Sequence, residues 1–375
     1  MARKTAIVRQ SNEGVERWMR HAPNLTVYAG HGRFIGPHAV EVNGETLDAD
    51  QIFINVGTRA AVPDIPGIRD VPFLTNTGIL DLSVLPEHLI VVGGSYVGLE
   101  FAQIFRRFGS RVTVIEMGGR LIAREDDDVS ATVQQVLEGE GIAFRLNASC
   151  VGLRTTPGGV ALDVDCTRAA PEVEGSHVLM AVGRRPNTDD LGLGAAGVAT
   201  DASRFVTVDD QCRTSVAGVW ALGDCNGRGA FTHTAYNDFE IVAGNLLDGD
   251  PRRISDRHPC YALYTDPPVG RVGLTLQEAR DSGRRVLVGH RPMTKVSRAR
   301  EMSETHGFMR ALVDADTKRL LGAVVVGVGG DEIVHSLLDV MYADAPYTTI
   351  SRAVHVHPTV SELIPTMLQD LKPLV

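Results

Sequence analysis

The sequence predicts an α/β fold of the doubly wound, nucleotide-binding kind, joined to a C-terminal α+β domain. Three observations carry that expectation. The chain holds 39 glycines in 375 residues, many of them directly after short apolar runs. A strand, a glycine turn, a helix and a second strand follow one another over residues 88 to 116. From about Arg257 the texture changes to antiparallel-type strands mixed with amphipathic helices. This length leaves room for two or three domains with well-filled cores.

Bulk properties narrow the partners. Hydrophobic residues make up 43% and charged residues 22%, ordinary for a globular chain. A formal net charge of -9 disfavours nucleic acid and anionic membrane surfaces as main partners. No apolar run approaches the roughly 20 residues of a membrane span. The opening "MARKTAIVRQSNEG" lacks the apolar stretch of a secretory signal, so a cytoplasmic location is expected. The five cysteines, Cys150, Cys166, Cys212, Cys225 and Cys260, are nowhere closer than 13 residues. They read as scattered reduced thiols, without a zinc site or a close dithiol.

The elements follow in order. Residues 1 to about 60 read as a short helix followed by strands, with "VEVNGETL" a hairpin around Asn43-Gly44. "QIFINVG" is a buried strand ending on Gly57, and the proline-rich "RAAVPDIPGI" marks a boundary. Strand 89–92, a glycine turn, a helix and strand 111–115 make one βαβ unit. The helix carries Val97, Phe101, Ile104, Phe105 and Phe108 at the spacing of one buried face, with Gly109 as its C-terminal cap. A second helix places Val129, Val133, Val136 and Leu137 on one side, and "IAFRL", "VALDVD" and "HVLMAVG" are strand-like. "FVTVDDQCRTSVAGVWALGDC" holds two short strands, the second closing on Gly223-Asp224. Near the C-terminus, Val334, Leu337, Leu338 and Met341 form a helical stripe.

The chemistry concentrates at Gly93-Gly94-Ser95-Tyr96-Val97-Gly98, a G-x-G-x-x-G with serine at the second glycine. Such a turn sets backbone N–H groups and a helix N-terminus against a pyrophosphate. Glu116 lies 18 residues beyond Gly98 (116 − 98), at the end of the second strand, where an acid holds a ribose 2′-hydroxyl. That carboxylate favours NAD over NADP, because it would repel a 2′-phosphate; the nearby Arg120 leaves the choice open.

Taken together and in order, "VVGGSYVGLE", "AVGRRPN", "GVWALGDC" and "HVHPTVSE" resemble the pyridine nucleotide-disulfide oxidoreductases, the flavoprotein family of dihydrolipoamide dehydrogenase and mercuric reductase. The resemblance runs from about residue 25 to the C-terminus. It implies FAD as resting cofactor, NAD(P)H as electron donor or acceptor, and hydride transfer on to a disulfide, a dithiol or a related acceptor. It implies a partial FAD-binding domain over 1–80 and 201–255, an NAD(P)-binding domain over 81–200, and a dimerisation domain over 256–375.

For individual residues the resemblance implies that Asp224, after Gly223, accepts a hydrogen bond from the flavin's ribityl chain and that Thr232 lies near the flavin. Gly57 and Gly183 would end strands at the crossover between nucleotide domains, or simply serve turns needing positive φ. Glu100 would pair with a lysine beside the flavin, or be an ordinary solvated helix carboxylate. His357 would be the acid-base group, working from one subunit on the thiols of the other, with Glu362 orienting it; a homodimer follows. Imidazole titrates near the working pH almost unaided. The residues also allow a T-x-x-E capping box, with Glu362 returning to Thr359, and His355-x-His357 offers two metal ligands without a third nearby. Pro365 falls inside the expected helix and should shorten or kink it.

The family's first glycine-rich βαβ unit and its C-x-x-x-x-C pair have no counterpart in these residues. The expectation is therefore the family fold with its first flavin-binding unit missing. The alternative is an NAD-binding dimeric remnant, or an interaction protein, without dithiol redox activity.

Overall fold

The structure, a computed structural model, describes residues 1–166 and 171–374, the side chain of Cys166 excepted. The described chain forms two compact units. One comprises Met1–Ala61, Leu80–Ser83 and Arg184–Arg257; the other comprises Val62–Ile79, Val84–Gly183 and His258–Val375.

The first unit opens with a helix over Ala2–His21, none of whose residues is buried. The Asn43-Gly44 hairpin forms as its residues require. Asn43 and Gly44 both take positive φ, 55° and 83°, and join the antiparallel strands Ala39–Val42 and Glu45–Asp48. Strand Ile52–Ile54 pairs in parallel with Val219–Ala221, and Thr58–Ala60 pairs antiparallel with Arg184–Pro186. Of the two strands expected over residues 205 to 225, only Val219–Ala221 extends. The earlier run makes one isolated bridge, Thr200 to Val206.

The second unit holds a wholly parallel five-stranded sheet. Its order is Phe73–Leu74, His177–Met180, His88–Val92, Arg111–Ile115, Ala143–Arg145. Leu89, Ile90 and Val91 have no solvent exposure, as a strand covered on both faces demands. An antiparallel insert, Ala148–Thr156, Gly159–Cys166 and Glu172–Gly175, adds a separate three-stranded sheet. Beyond it lies a six-stranded antiparallel sheet covered by helix Gly330–Tyr342, which buries the expected Val334, Leu337, Leu338 and Met341.

One expected face is wrong. In helix Tyr96–Arg107, the side turned inward is Gly98, Leu99, Ala102, Gln103 and Phe105. Of the five apolar residues read as its buried stripe only Phe105 is buried; Phe101 is half-buried, while Val97, Ile104 and Phe108 are exposed. The glycine turn explains the rotation. Gly98 lies so close to the Gly93 carbonyl oxygen that a Cβ would collide with it, so Gly98 and its helical neighbours 102 and 105 must face the strand. Close backbone packing overrules the larger count of apolar residues on the other side.

Candidate active site

At the carboxyl end of strand His88–Val92 the chain turns through Gly93, with φ 113°, into helix Tyr96–Arg107. A Cβ on Gly93 would strike the Ala181 carbonyl, and one on Gly94 would come within 2.8 Å of Leu121 Cδ2 and 3.0 Å of Glu116 Cβ. Ser95 is the N-cap but its side chain makes no capping bond, so the first N–H groups of this helix have no side-chain acceptor from their own cap. That is the cradle an anion would fill, and a dinucleotide pyrophosphate fits it. Glu116 closes the turn: Oε2 accepts the Gly94 N–H at 2.7 Å and Oε1 the Gly118 N–H at 2.6 Å. Arg120 is engaged elsewhere, ion-paired with Asp127 and donating from Nη2 to the Ala123 carbonyl at 2.7 Å.

The loop behind this turn ends in charges that sequence reading missed. Ile122 N–H bonds the Gly94 carbonyl at 2.9 Å. Three residues on, Glu125 and Asp126 meet Arg271, whose side chain is 1% exposed; Asp126 also meets Arg310, which pairs with Asp128. Tyr261 donates to Glu125 Oε1 at 2.7 Å. Sequence separations of 136 residues or more left no local signal for this cluster.

Glu100 is no solvated surface carboxylate. Burial pushes its carboxyl above the ordinary glutamate range, opposed by the hydrogen bond that Oε1 accepts from Tyr264 N–H at 2.9 Å. Gly183 is solvent-exposed with φ 122°, and open space surrounds its Cβ position, so only its backbone conformation calls for glycine.

His357 and Glu362 meet. Both carboxylate oxygens of Glu362 lie on His357 Nδ1, at 3.0 and 2.8 Å; the imidazole is 73% exposed and the carboxylate 14%. Half of the alternative capping box forms as well, since Thr359 Oγ1 accepts the Glu362 N–H at 3.2 Å. The helix itself starts only at Leu363, so Pro365 stands in its first turn, where a missing N–H breaks no helical bond. It neither kinks the helix nor shortens it from within.

In the first unit, Gly57 and Gly223 follow the paired parallel strands with φ 65° and 69°. The carboxyl end of parallel strands is where α/β folds place their ligands. Asp224 stands in the short turn Gly223–Asn226, and its Oδ2 accepts the Thr58 hydroxyl at 2.6 Å. Arg184 donates to Thr58 Oγ1 at 2.7 Å and Thr58 O at 2.8 Å, and its Nε is 3.8 Å from Asp224. Thr232 is exposed at the start of helix Thr232–Ala243. A fixed carboxylate, a hydroxyl and a helix N-terminus suit the polyol and phosphate groups of a flavin dinucleotide.

The thiols tell a different story. Burial pushes Cys212 up to about 12 and raises Cys225 and Cys150 as well, away from the thiolate form that reacts.

Two glycine turns at carboxyl ends of parallel strands, each with its own carboxylate, suit a protein that binds dinucleotides. The comparisons give the family. Residues 2–238 match the pyridine nucleotide-disulphide oxidoreductase family and residues 260–368 its dimerisation domain. The RclA sequence of Escherichia coli (strain K12) is 34% identical over 359 residues, spanning 94% of this chain and 80% of RclA. Dihydrolipoyl dehydrogenase of Cupriavidus necator is 32% identical over 371 residues, 97% of this chain and 77% of the relative. The solved structure of the HOCl-induced flavoprotein disulfide reductase RclA from Escherichia coli superposes with a TM-score of 0.93 at 33% identity, covering 99% of this chain and 85% of that one. The chain belongs to the pyridine nucleotide-disulfide oxidoreductases, flavin-dependent NAD(P)H oxidoreductases. Among the described residues, no helix is long and apolar enough to cross a membrane.

Proposed function

We propose that this protein, as a homodimer, catalyses the reaction of NADH, a proton and a disulfide-type acceptor to give NAD and two thiols, in either direction. The observation that carries this reading is the His357–Glu362 pair. A histidine held at Nδ1 by a nearly buried carboxylate, with an exposed ring, is built to give and take a proton at its other nitrogen. The S–S bond that breaks leaves two sulfurs needing protons, and His357 supplies or removes one of them, acting on the partner subunit's acceptor site. Glu362 fixes the tautomer and the ring orientation.

The other residues bind and orient. Gly93, Gly94, Ser95 and Gly98 hold the nicotinamide dinucleotide's pyrophosphate, and Glu116 its ribose. Gly57, Gly223, Asp224 and Thr232 hold the flavin, Gly183 sets the crossover, and Glu100 serves the flavin's surroundings. FAD, when bound, supplies the hydride-accepting chemistry that side chains lack. On this reading residues 1–80 and 201–255 serve the flavin, 81–200 the nicotinamide dinucleotide and 256–375 dimerisation. NAD is favoured over NADP because Glu116 opposes a 2′-phosphate and Arg120 is already committed to Asp127 and Ala123.

The test compares acceptors in the FAD-loaded protein. His357→Ala should slow NADH-dependent reduction of a disulfide such as lipoamide by about 10²–10⁴-fold. Reduction of ferricyanide, which needs no proton at sulfur, should stay within about twofold of the parent rate. Equal turnover of both acceptors before and after the substitution would remove His357 from proton transfer.

A further inference from the structure

We propose that Asp238 is the positioning residue of the Gly223–Asn226 turn, and that it sets how tightly the turn holds the flavin. The inference rests on the reading that this turn, through Asp224, is a flavin site.

Asp238 lies in helix Thr232–Ala243, and its side chain is 2% exposed. A buried, unpaired carboxylate costs several kcal/mol, so its partners show what it is for. One oxygen, Oδ2, accepts the Gly223 N–H at 2.8 Å and the Asn226 side-chain amide at 2.9 Å. It therefore grips both ends of the four-residue turn in which Asp224 sits. Asn226 spreads that grip: its amide also reaches the Ala221 carbonyl at 3.0 Å, and its Oδ1 accepts the Arg228 N–H at 2.8 Å. The other oxygen, Oδ1, takes Arg257, whose Nε is held by Asn237 Oδ1 at 2.9 Å.

This geometry needs acceptors on both oxygens. Among the described residues, the hydrogen-bond partners of Asp238 are all donors, two on Oδ2 and one on Oδ1. An asparagine in its place presents an NH₂ either to the turn or to the guanidinium, and one side then opposes donor to donor. A neutral residue of the same size consequently cannot hold the turn and satisfy Arg257 together. The helix that carries Asp238 also begins at Thr232, so one rigid element would place both a flavin contact and the brace of the facing turn.

The experiment measures FAD affinity, by visible absorption and fluorescence titration, and the flavin's reduction potential. The proteins are the parent, Asp238→Asn, Asp238→Glu, Asn226→Ala and Asp224→Ala; NADH binding by each reports on folding. We expect Asp238→Asn to weaken FAD by roughly tenfold or more, the loss of one charged hydrogen bond. Its potential should shift while NADH affinity stays at the parent value. Asn226→Ala should fall between it and the parent, and Asp238→Glu, which keeps the charge, should recover part of the loss. Parent-like FAD affinity and potential in Asp238→Asn, with Asp224→Ala impaired, would overturn the positioning role alone. Parent-like FAD affinity in Asp224→Ala would overturn the flavin reading beneath it. Parallel loss of FAD and NADH in Asp238→Asn would show a general strut and overturn the proposal too.

Discussion

The turns at Gly93 and Gly223 are braced alike but packed differently. Each follows a parallel strand, and each is braced by a carboxylate that accepts a backbone N–H of the turn: Glu116 from Gly94 and Asp238 from Gly223. The Gly93 turn is packed backbone to backbone, with Gly93 against Ala181 and Gly98 against Gly93 itself. The Gly223 turn is packed against side chains. A Cβ there would meet Asn55 Oδ1 at 2.8 Å and Ala235 Cβ at 3.1 Å. An arginine also stands behind each, the buried Arg271 behind the loop of the first and the partly buried Arg257 behind the second. Backbone contacts cannot give way, whereas side chains can. The first turn should therefore be rigid and intolerant of substitution, the second adjustable and governed by charge.

The largest effect expected is from Arg271→Ala. It strands Glu125 and Asp126 without their main counter-charge, and breaking a buried ion pair costs about 3–5 kcal/mol. Chemical denaturation should register that loss, together with weaker NADH binding as the loop bonded to Gly94 loosens. A loss below about 1 kcal/mol would mean that Arg310 alone carries the cluster.

Gly93→Ala and Gly223→Ala test the contrast itself. At Gly93 the new methyl meets a carbonyl at φ 113°, so strain and collision add, and about 3 kcal/mol and most NADH affinity should go. At Gly223, Asn55 can turn aside, and the loss should stay near 1 kcal/mol, measured by the same denaturation. Equal losses would erase the distinction.

Glu116→Arg should weaken NADH by about tenfold and favour NADPH, read from the two kcat/KM values. An unchanged preference would remove Glu116 from the ribose site.

The smallest effect concerns Glu100. Its folded pKa lies above the unfolded value, so whatever stability it contributes is fully present below the unfolded pKa and is lost as pH rises through the folded one. Glu100→Gln keeps the acceptor for Tyr264 N–H and removes the buried charge. The variant should gain a few degrees of Tm over the parent at pH 7 and nothing at pH 4; an identical difference at both would show that the carboxyl is not desolvated.

How legible these features were depended on how local their physics is. The Asn43-Gly44 hairpin, the Gly93 turn and the stripe from Val334 to Met341 could be read because backbone conformation and side-chain period are properties of neighbouring residues. His357 and Glu362, five apart, belong with them. The face of helix Tyr96–Arg107 could not be read, because a single collision at Gly98 outweighs the four apolar side chains Val97, Phe101, Ile104 and Phe108. Thr58 and Asp224, 166 residues apart, and Glu125 and Arg271, 146 apart, could not be read either. A buried charge must be neutralised by whatever group the fold delivers to it, and sequence spacing carries no trace of that. The sequence by itself determined the βαβ unit, the glycine turns and the family. The tertiary structure decided which carboxylates brace those turns and which arginines neutralise them, because desolvation makes an unpaired charge costly only once the chain has folded around it.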